Sequence, residues 1–470
     1  MRHVEGARRE QLILLPESLE DYVAADHTVR VIDAYVGTVD VRALGFEKAI
    51  TKETGRKPYH PADLLKLYVY GYLNRVSTSR RLERECQRNV EVMWLLRRLQ
   101  PDFKTIADFR KDNGAAIRGA CSAFIEFCRG AQLLGTQQVA IDGSKFKAAG
   151  SIDQSLTRNL VKRDREQVEK KIQEYLERLD RADEEDCEVE LDRKRVEEAL
   201  EKLKQRKQRL EGFERGMDAS GRNEHCITEP DALLMRSGRE GTVLGYNVQA
   251  ATEARTGLIV HHEVTQAQGD TNQLLPHAEQ AKAALRVDRL DVLADGGYSN
   301  GQHLEACERQ GITATVPRRI IPGSSAEFQK AHFQYEAEQD RYRCPAGELL
   351  LYKRVDKQRK LYVYERSGCN QCSLQGRCTR SNRRSITRHW YEAAYERSEA
   401  RLRADPSLLY RRMSIAERPF AVIKHLMAFR RFNCRGVRAA GTEMSIAVLA
   451  YNLKQMIGHL GVPRLLALLS

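Results

Sequence analysis

No stretch of about 18 apolar residues occurs in this chain, so a membrane-spanning helix is not expected. The opening MRHVEGARREQLILL has a basic flank but neither a long apolar core nor a small-residue cleavage site, and the expectation is an unexported protein. A GKS or GKT phosphate loop is missing, which leaves ATP-driven chemistry without support. Negative charge is in deficit: 65 Asp and Glu stand against 78 Lys and Arg, a formal net charge of +13. Such a balance favours a polyanionic partner over an acidic small molecule. Disulfides have no pattern to follow either. Eleven cysteines are an odd number, and Cys86, Cys121, Cys128 and Cys307 lie singly in helical or strand patterns, as buried thiols of a reducing compartment do.

The 470 residues are too many for one simple core, and two or three folded units with insertions are expected. Residues 1–135 read as a helical N-terminal DNA-binding domain. Its segments are HPADLLKLYVYGYL, opened by His60-Pro61, then STSRRLERECQRNVEVMWLLRRL with Leu82, Cys86, Val90 and Trp94 on one face, then a run broken at Pro101 that restarts toward Phe124 and Phe127. Short basic helices in succession can lay one helix in a major groove, or form a packed scaffold with solvated Arg residues. At Gln138 the pattern changes to QVAIDG, a buried strand ending in a carboxylate at Asp142. Residues 155–215 read as an inserted antiparallel helical hairpin. Val161, Val168, Ile172, Tyr175 and Leu179, then Val189, Val196, Leu200, Leu203 and Leu210, follow a heptad, with the acidic DRADEEDCE as the turn between them.

Two strands, GYNVQAAT from Gly245 and GLIVHHEVT from Gly257, follow as a hairpin. A helix is expected over 271–285, then the strand DRLDVLA ending at Asp295 with a turn on Gly296-Gly297, a helix near Asn300, and a last strand in GITATVP. The class is α/β, a mixed sheet with helices.

Carboxylates at the ends of separate buried strands suit hard divalent cations held near a phosphodiester, because Mg²⁺ prefers oxygen ligands. Asp142 and Asp295 have that placement. A third carboxylate, Glu417, stands in LLYRRMSIAERPFAVIKHLMAFRRF, with Arg412, Ile415 or Ala416, Phe420 and Lys424 near its helical face. His261 and His262 alternate on a strand, and satisfied polar or core roles are expected for them; Tyr298 is expected to pack.

Five ordered segments carry a resemblance: IDGSKFKA, GYNVQAATEARTGLIV, LADGGYSN, RMSIAERPFAVIKH and LAYNLKQM. Together they resemble the DDE transposases of bacterial insertion sequences, nearest the IS-eleven-eighty-two group of the IS-four superfamily, with HPADLLKLYVYGYL and RRLERECQRN similar to an InsH-type N-terminal domain. The resemblance implies a ribonuclease-H-like catalytic core over 136–322 and 386–470. It implies Asp142, Asp295 and Glu417 as catalytic residues holding Mg²⁺ or Mn²⁺, two ions in all, with Lys424 the lysine of the Tyr-Arg-Glu-Lys signature. That signature would put Arg at Met413, whereas Arg412 stands one residue earlier. Arg412 and Lys424 are expected to grip DNA. The partners implied are double-stranded DNA, both terminal inverted repeats and target, and a second copy of the chain in a synaptic homodimer, in the bacterial cytoplasm at the nucleoid.

Residues 323–385 read as a Cys-rich insertion. Cys344, Cys369, Cys372 and Cys378 can enclose a structural Zn²⁺ tetrahedrally, and Lys353, Arg354, Arg377, Arg380, Arg383 and Arg384 would make this a basic finger. Free or redox thiols are the alternative. Two rival functions share many of these features: a zinc-stabilised DNA-binding regulator with a decayed catalytic core, and a ribonuclease-H-like nuclease without strand transfer.

Overall fold

The computed structural model describes residues 18–51, 57–184, 190–238, 241–319 and 327–470. Residues 1–17, the hairpin turn around Val189 and the expected boundary at 322/323 lie outside these residues, as does the side chain of Leu179.

Six helices come first: α1 (Thr28–Thr38), α2 (Pro61–Leu73), α3 (Ser79–Arg88), α4 (Val90–Leu95), α5 (Phe103–Asp112) and α6 (Gly114–Gly130). Their starts follow from local chemistry. Proline opens α2 after His60, whose ring accepts from the Ala62 amide, and Asp102 caps α5 through the Thr105 amide.

Strand β1 (Gln138–Lys147) leads out to β2 (Ser155–Thr157), which pairs with β3 (Glu224–Cys226) at the base of a helical hairpin, α7 (Arg158–Glu184) and α8 (Glu190–Ser220). Val161, Val168, Leu210 and Met217 close its apolar seam, and Arg165–Glu214 and Lys207–Glu169 pairs show the antiparallel sense. Hairpin α8 runs to Ser220, five residues past the expected limit, because the seam continues through Phe213 and Met217.

Strands β4 (Leu233–Ser237), β5 (Gly241–Glu253), β6 (Ile259–Thr265), β7 (Leu290–Leu293) and β8 (Ile312–Thr315) complete a six-stranded mixed sheet. Along it run β6, β5, β1, β7 and β8; β5 is antiparallel to β6 and β1, while β7 and β8 run parallel to β1. Strand β4 shares the β6 edge of β5, pairing with Gly241–Gly245. Val139, Ala140 and Ile141 are all fully buried, which requires cover on both faces of the sheet. One cover is α9 (Leu274–Leu285); the helix begins three residues later than expected, at Leu274. Helix α10 (Gly301–Arg309) packs on β8.

A second, five-stranded antiparallel sheet, β9 (Gln334–Glu336), β10 (Arg341–Arg343), β11 (Leu349–Asp356), β12 (Leu361–Ser367) and β13 (Arg383–His389), has its own small core of Phe333, Tyr342, Leu350, Tyr364 and Ile386, with the short helix α11 (Gln375–Cys378) beside it. The chain then returns through α12 (Glu392–Ala404), α13 (Ser407–Ala421), α14 (Val437–Leu460) and α15 (Val462–Leu469). No helix among the described residues is long and apolar enough to cross a membrane.

Helix α14 ties the halves together. It packs on α2, α5 and α6 and also on β6. Within this contact Arg110 Nη1 on α5 meets Glu443 Oε1 at 2.7 Å, with the Glu443 side chain fully buried. Removing one partner of a buried pair strands the other charge. Glu443→Ala should therefore lower unfolding stability by about 3–5 kcal/mol in chemical denaturation, and the double variant Arg110→Met/Glu443→Leu should recover most of that loss.

Candidate active site

Alternation along β1 decides what faces the site. Ala140 packs with Leu293, Ile415 and Ala416, so its side of the strand faces α13. Asp142 and Ser144, at two-residue steps, point the same way. Strand β7 stops pairing at Ala140↔Leu293, which leaves the β1 edge open beside Asp142. Asp142 is thus the fifth residue of a ten-residue strand and not its last, a correction to the expected strand end; what ends there is its parallel neighbour. Asp295 lies two residues beyond β7 and caps the turn Gly296–Tyr298, its Oδ1 accepting from the Gly297 amide at 2.8 Å.

Arg412 on α13 joins the three carboxylates. Its Nη2 lies 3.5 Å from Asp142 Oδ1 and 3.5 Å from Asp295 Oδ2, and its Nη1 3.8 Å from Glu417 Oε1. Where the signature would place an arginine, Met413 is exposed, and Arg412, one residue earlier, points toward the carboxylates. Pro419 lies inside α13, and the helix widens into a π turn over Val422–Leu426. A missing N–H at Pro419 frees a carbonyl one turn back, and such widenings re-aim side chains. Here it delivers Lys424, whose Nζ donates to Ser144 Oγ and to the Lys145 carbonyl, both at 2.7 Å, and sits 4.5 Å over the Phe146 ring. Lys424 and Asp142 therefore address one face of β1.

The opposite face holds a residue that sequence reasoning missed. Asp270, in the loop before α9, accepts from Asn247 Nδ2 and Gln249 Nε2 at 2.7 Å each, with Lys145 Nζ 3.7 Å away. It can approach because Gly143 has no side chain. A Cβ there would stand 2.4 Å from Gln249 Nε2 and 2.8 Å from Asp270 Oδ1. An isolated glycine inside a strand is the one sequence signal for such an approach. Tyr298 is fully buried and donates to Gln249 Oε1, fulfilling its expected packing role.

Charge is crowded here. Burial, assisted by the nearby Asp295 and Asp270 charges and opposed by Arg412, pushes the Asp142 carboxyl up to about 7. Burial likewise lowers the Lys145 ammonium, against the pull of Asp270. Beside Asp295, an open cleft of about 920 Å³ is walled by Gly296, Gly297, Arg318, Arg319, Lys330 and Arg403. Arg318 and Lys330 both engage the buried Glu392, at 2.6 and 2.7 Å, and these contacts hold its carboxyl at about 2 despite burial.

The four cysteines converge on one small pocket with Phe328, Leu350 and Leu374. Burial raises the Cys369 and Cys378 thiols, each also raised by the neighbouring sulfurs. Among the described residues, the group whose ligand atoms all lie within 4.8 Å of one another is His261, Glu263 and His277. The cysteines and the acidic triad are not in that group; in the triad Arg412 Nη2 stands near both Asp142 and Asp295 and Nη1 near Glu417. His262 is a satisfied core residue, its Nε2 2.9 Å from Ser445 Oγ.

Two segments match family models. Residues 17–112 match one described as Transposase domain (DUF772), and residues 343–457 one described as Transposase DDE domain. The second span contains Arg412, Glu417, Lys424 and the four cysteines, whereas Asp142 and Asp295 lie outside both. No curated protein matches the chain. A solved piggyBac transposase synaptic complex with hairpin DNA is similar at TM-score 0.38 and 8% identity, over 93% of this chain and 75% of that one, a likeness too distant to carry a conclusion.

A buried carboxyl at about 7, against about 4 in an unfolded chain, favours the folded state below about pH 4 and loses that contribution as pH rises through 7. Asp142→Asn, in chelator, should therefore raise the melting temperature at pH 8 by a few degrees, corresponding to up to about 4 kcal/mol, and the gain should vanish by pH 4. Gly143→Ala should cost about 1–3 kcal/mol through overpacking against Gln249 and Asp270, read in the same melts.

Proposed function

We propose that this protein is a DDE transposase of the insertion-sequence type, cleaving element ends and transferring the freed strand, with Asp142, Asp295 and Glu417 as its catalytic residues. The observation that carries the reading is Arg412, one guanidinium within 3.8 Å of carboxylates from three separate segments. The two family matches support it from outside the geometry. The strand order β6, β5, β1, β7, β8, three antiparallel strands and then two parallel ones, supports a ribonuclease-H-like core over 136–322 and 386–470. The branch assignment, the IS-eleven-eighty-two group with an InsH-type N-terminal domain over 1–135, rests on the sequence motifs.

The donor set fits a hard divalent cation, Mg²⁺ or Mn²⁺, since it offers carboxylate oxygens alone and crowds negative charge that a cation would relieve. Bound there, two such ions supply activation of the attacking oxygen and stabilisation of the leaving one. The chain's own residues do the rest. Asp142, fixed by β1, and Asp295, fixed by its cap, hold their oxygens on rigid backbone. Glu417 comes from α13, and Arg412 orients all three. Lys424, tethered to the strand that carries Asp142, presents an ammonium to a phosphate on the same face. The cleft beside Asp295, lined by Arg318, Arg319, Lys330 and Arg403 together with Glu392, Glu396 and Glu399, offers Arg319 and Arg403 to a DNA backbone.

The partners in this reading are terminal-repeat and target DNA and a second copy of the chain, in the bacterial cytoplasm. The helical hairpin, expected over 155–215 and running to Ser220, is the inserted arm, and 323–385 is the zinc module. The four thiols match a structural Zn²⁺ in type, although the sulfurs must draw together to bind it.

Incubation of the protein with its own flanking DNA decides the matter. Cleavage and strand joining should appear with Mg²⁺ and stop with chelator. Asp142→Ala, Asp295→Ala and Glu417→Ala should each lose roughly a thousandfold or more in rate while still binding DNA. Full cleavage by Asp142→Ala sinks the assignment, and cleavage without joining would make the protein a nuclease.

A further inference from the structure

The face of β6 turned toward α9 carries His261 and Glu263, two residues apart and so side by side. Helix α9 brings His277 against them. His261 Nε2 lies 3.1 Å from His277 Nδ1, and His277 Nδ1 lies 3.8 Å from Glu263 Oε2. All three ligand atoms fall within 4.8 Å of one another. This is the face opposite His262, so neither the Ser445 contact nor the acidic centre uses these groups.

Protonation suits a ligand role. His277 Nε2 lies 3.1 Å from Gln273 Oε1, an oxygen that only accepts, so Nε2 carries the proton and Nδ1 keeps its lone pair. A metal-binding histidine commonly donates its other N–H in this way. The His261–His277 contact is then one N–H···N bond with a single shared proton. A cation entering between the rings replaces that one bond with two coordination bonds, and the His261 proton shifts to its Nδ1.

The spacing also suits. Two imidazole nitrogens on tetrahedral zinc stand roughly 3.3 Å apart, given bonds of about 2.0–2.1 Å, so the rings must separate by only a few tenths of an ångström. His277 is buried, with 1% of its side chain exposed, while Glu263 is 47% exposed. Two nitrogen ligands thus come from the interior and one carboxylate from the surface.

We propose that His261, Glu263 and His277 form a binding site for a zinc-class transition cation, separate from the Asp142 centre, which clamps α9 to β6. Its position gives the clamp a reach. Gln273, the residue that fixes the His277 tautomer, also donates its backbone N–H to the Asp270 carbonyl at 2.9 Å. Glu263 stands opposite Gln249, the residue that holds the Asp270 carboxylate. Occupancy therefore stiffens the loop that brings Asp270 over Gly143. The site stands on geometry alone and does not depend on the transposase reading.

The test is Zn²⁺ titration of the full reduced chain by calorimetry in millimolar Mg²⁺, with Co²⁺ spectra in parallel. Thiolate ligation announces itself by intense near-ultraviolet charge-transfer bands, which nitrogen and oxygen ligation lacks, so the cysteine pocket is counted separately. Wild type should bind one Zn²⁺ equivalent more than His261→Ala/His277→Ala. Glu263→Gln, at a half-exposed position that leaves the fold intact, should weaken that equivalent at least tenfold, and Asp142→Asn should leave it unchanged. Equal stoichiometry in wild type and the double histidine variant, or an unaltered affinity in Glu263→Gln, overturns the proposal.

Discussion

Helix α14 has almost no outward face between Ala440 and Leu453, where every residue is buried. A helix enclosed on all sides must satisfy two cores at once, and here α1, α2, α5 and α6 press from one side and β6 from the other. Its polar groups are spent inward. Asn452 accepts from the Ile259 amide and donates to the Ile259 carbonyl, both at 2.9 Å, and so completes the free edge of β6 as another strand would. Glu443 is matched by Arg110. The N-terminal helices and the mixed sheet are consequently parts of one packed body, and α13 packs on β1, β5 and β7 of that sheet.

Within that frame the acidic centre is a balance of opposed charges. Four carboxylates, Asp142, Asp270, Asp295 and Glu417, face three cationic groups, Arg412, Lys145 and Lys424, around the middle of one strand, β1. The two faces of β1 divide the labour: Arg412, Glu417 and Lys424 approach from the α13 side, and Asp270 and Lys145 from the α9 side. Gly143 is what lets the second group come close enough to matter.

Much of this was legible in the sequence. The apolar runs ending near Asp142 and Asp295 mark their strands, and the heptads of 161–210 mark the hairpin, because burial of one face leaves a periodic trace. Asp270 left none. It sits in a polar loop, and its importance comes from Asn247 and Gln249, which a strand pattern records only as two more residues. The π turn that aims Lys424 is equally silent apart from Pro419. His261 looked like a packing residue because its partner His277 lies on another element, and contact between distant segments has no local signature. The arginine expected at Met413 by resemblance stands at Arg412, which reaches the three carboxylates from one residue earlier.

The hairpin rises from the strand that carries Asp142 and returns, through β3 and β4, to β5, the strand paired with it. At about 1.5 Å per residue, the 27 residues of α7 extend roughly 40 Å from that root. Mechanically this is a lever whose fulcrum is the β2–β3 ladder. Arg431, which donates to the Ala148, Ala149 and Gly150 carbonyls, anchors the short arm to the segment just beyond the Lys424 turn. A sideways force at the tip would be felt at the root as a torque on β1 and on the Lys424 turn together.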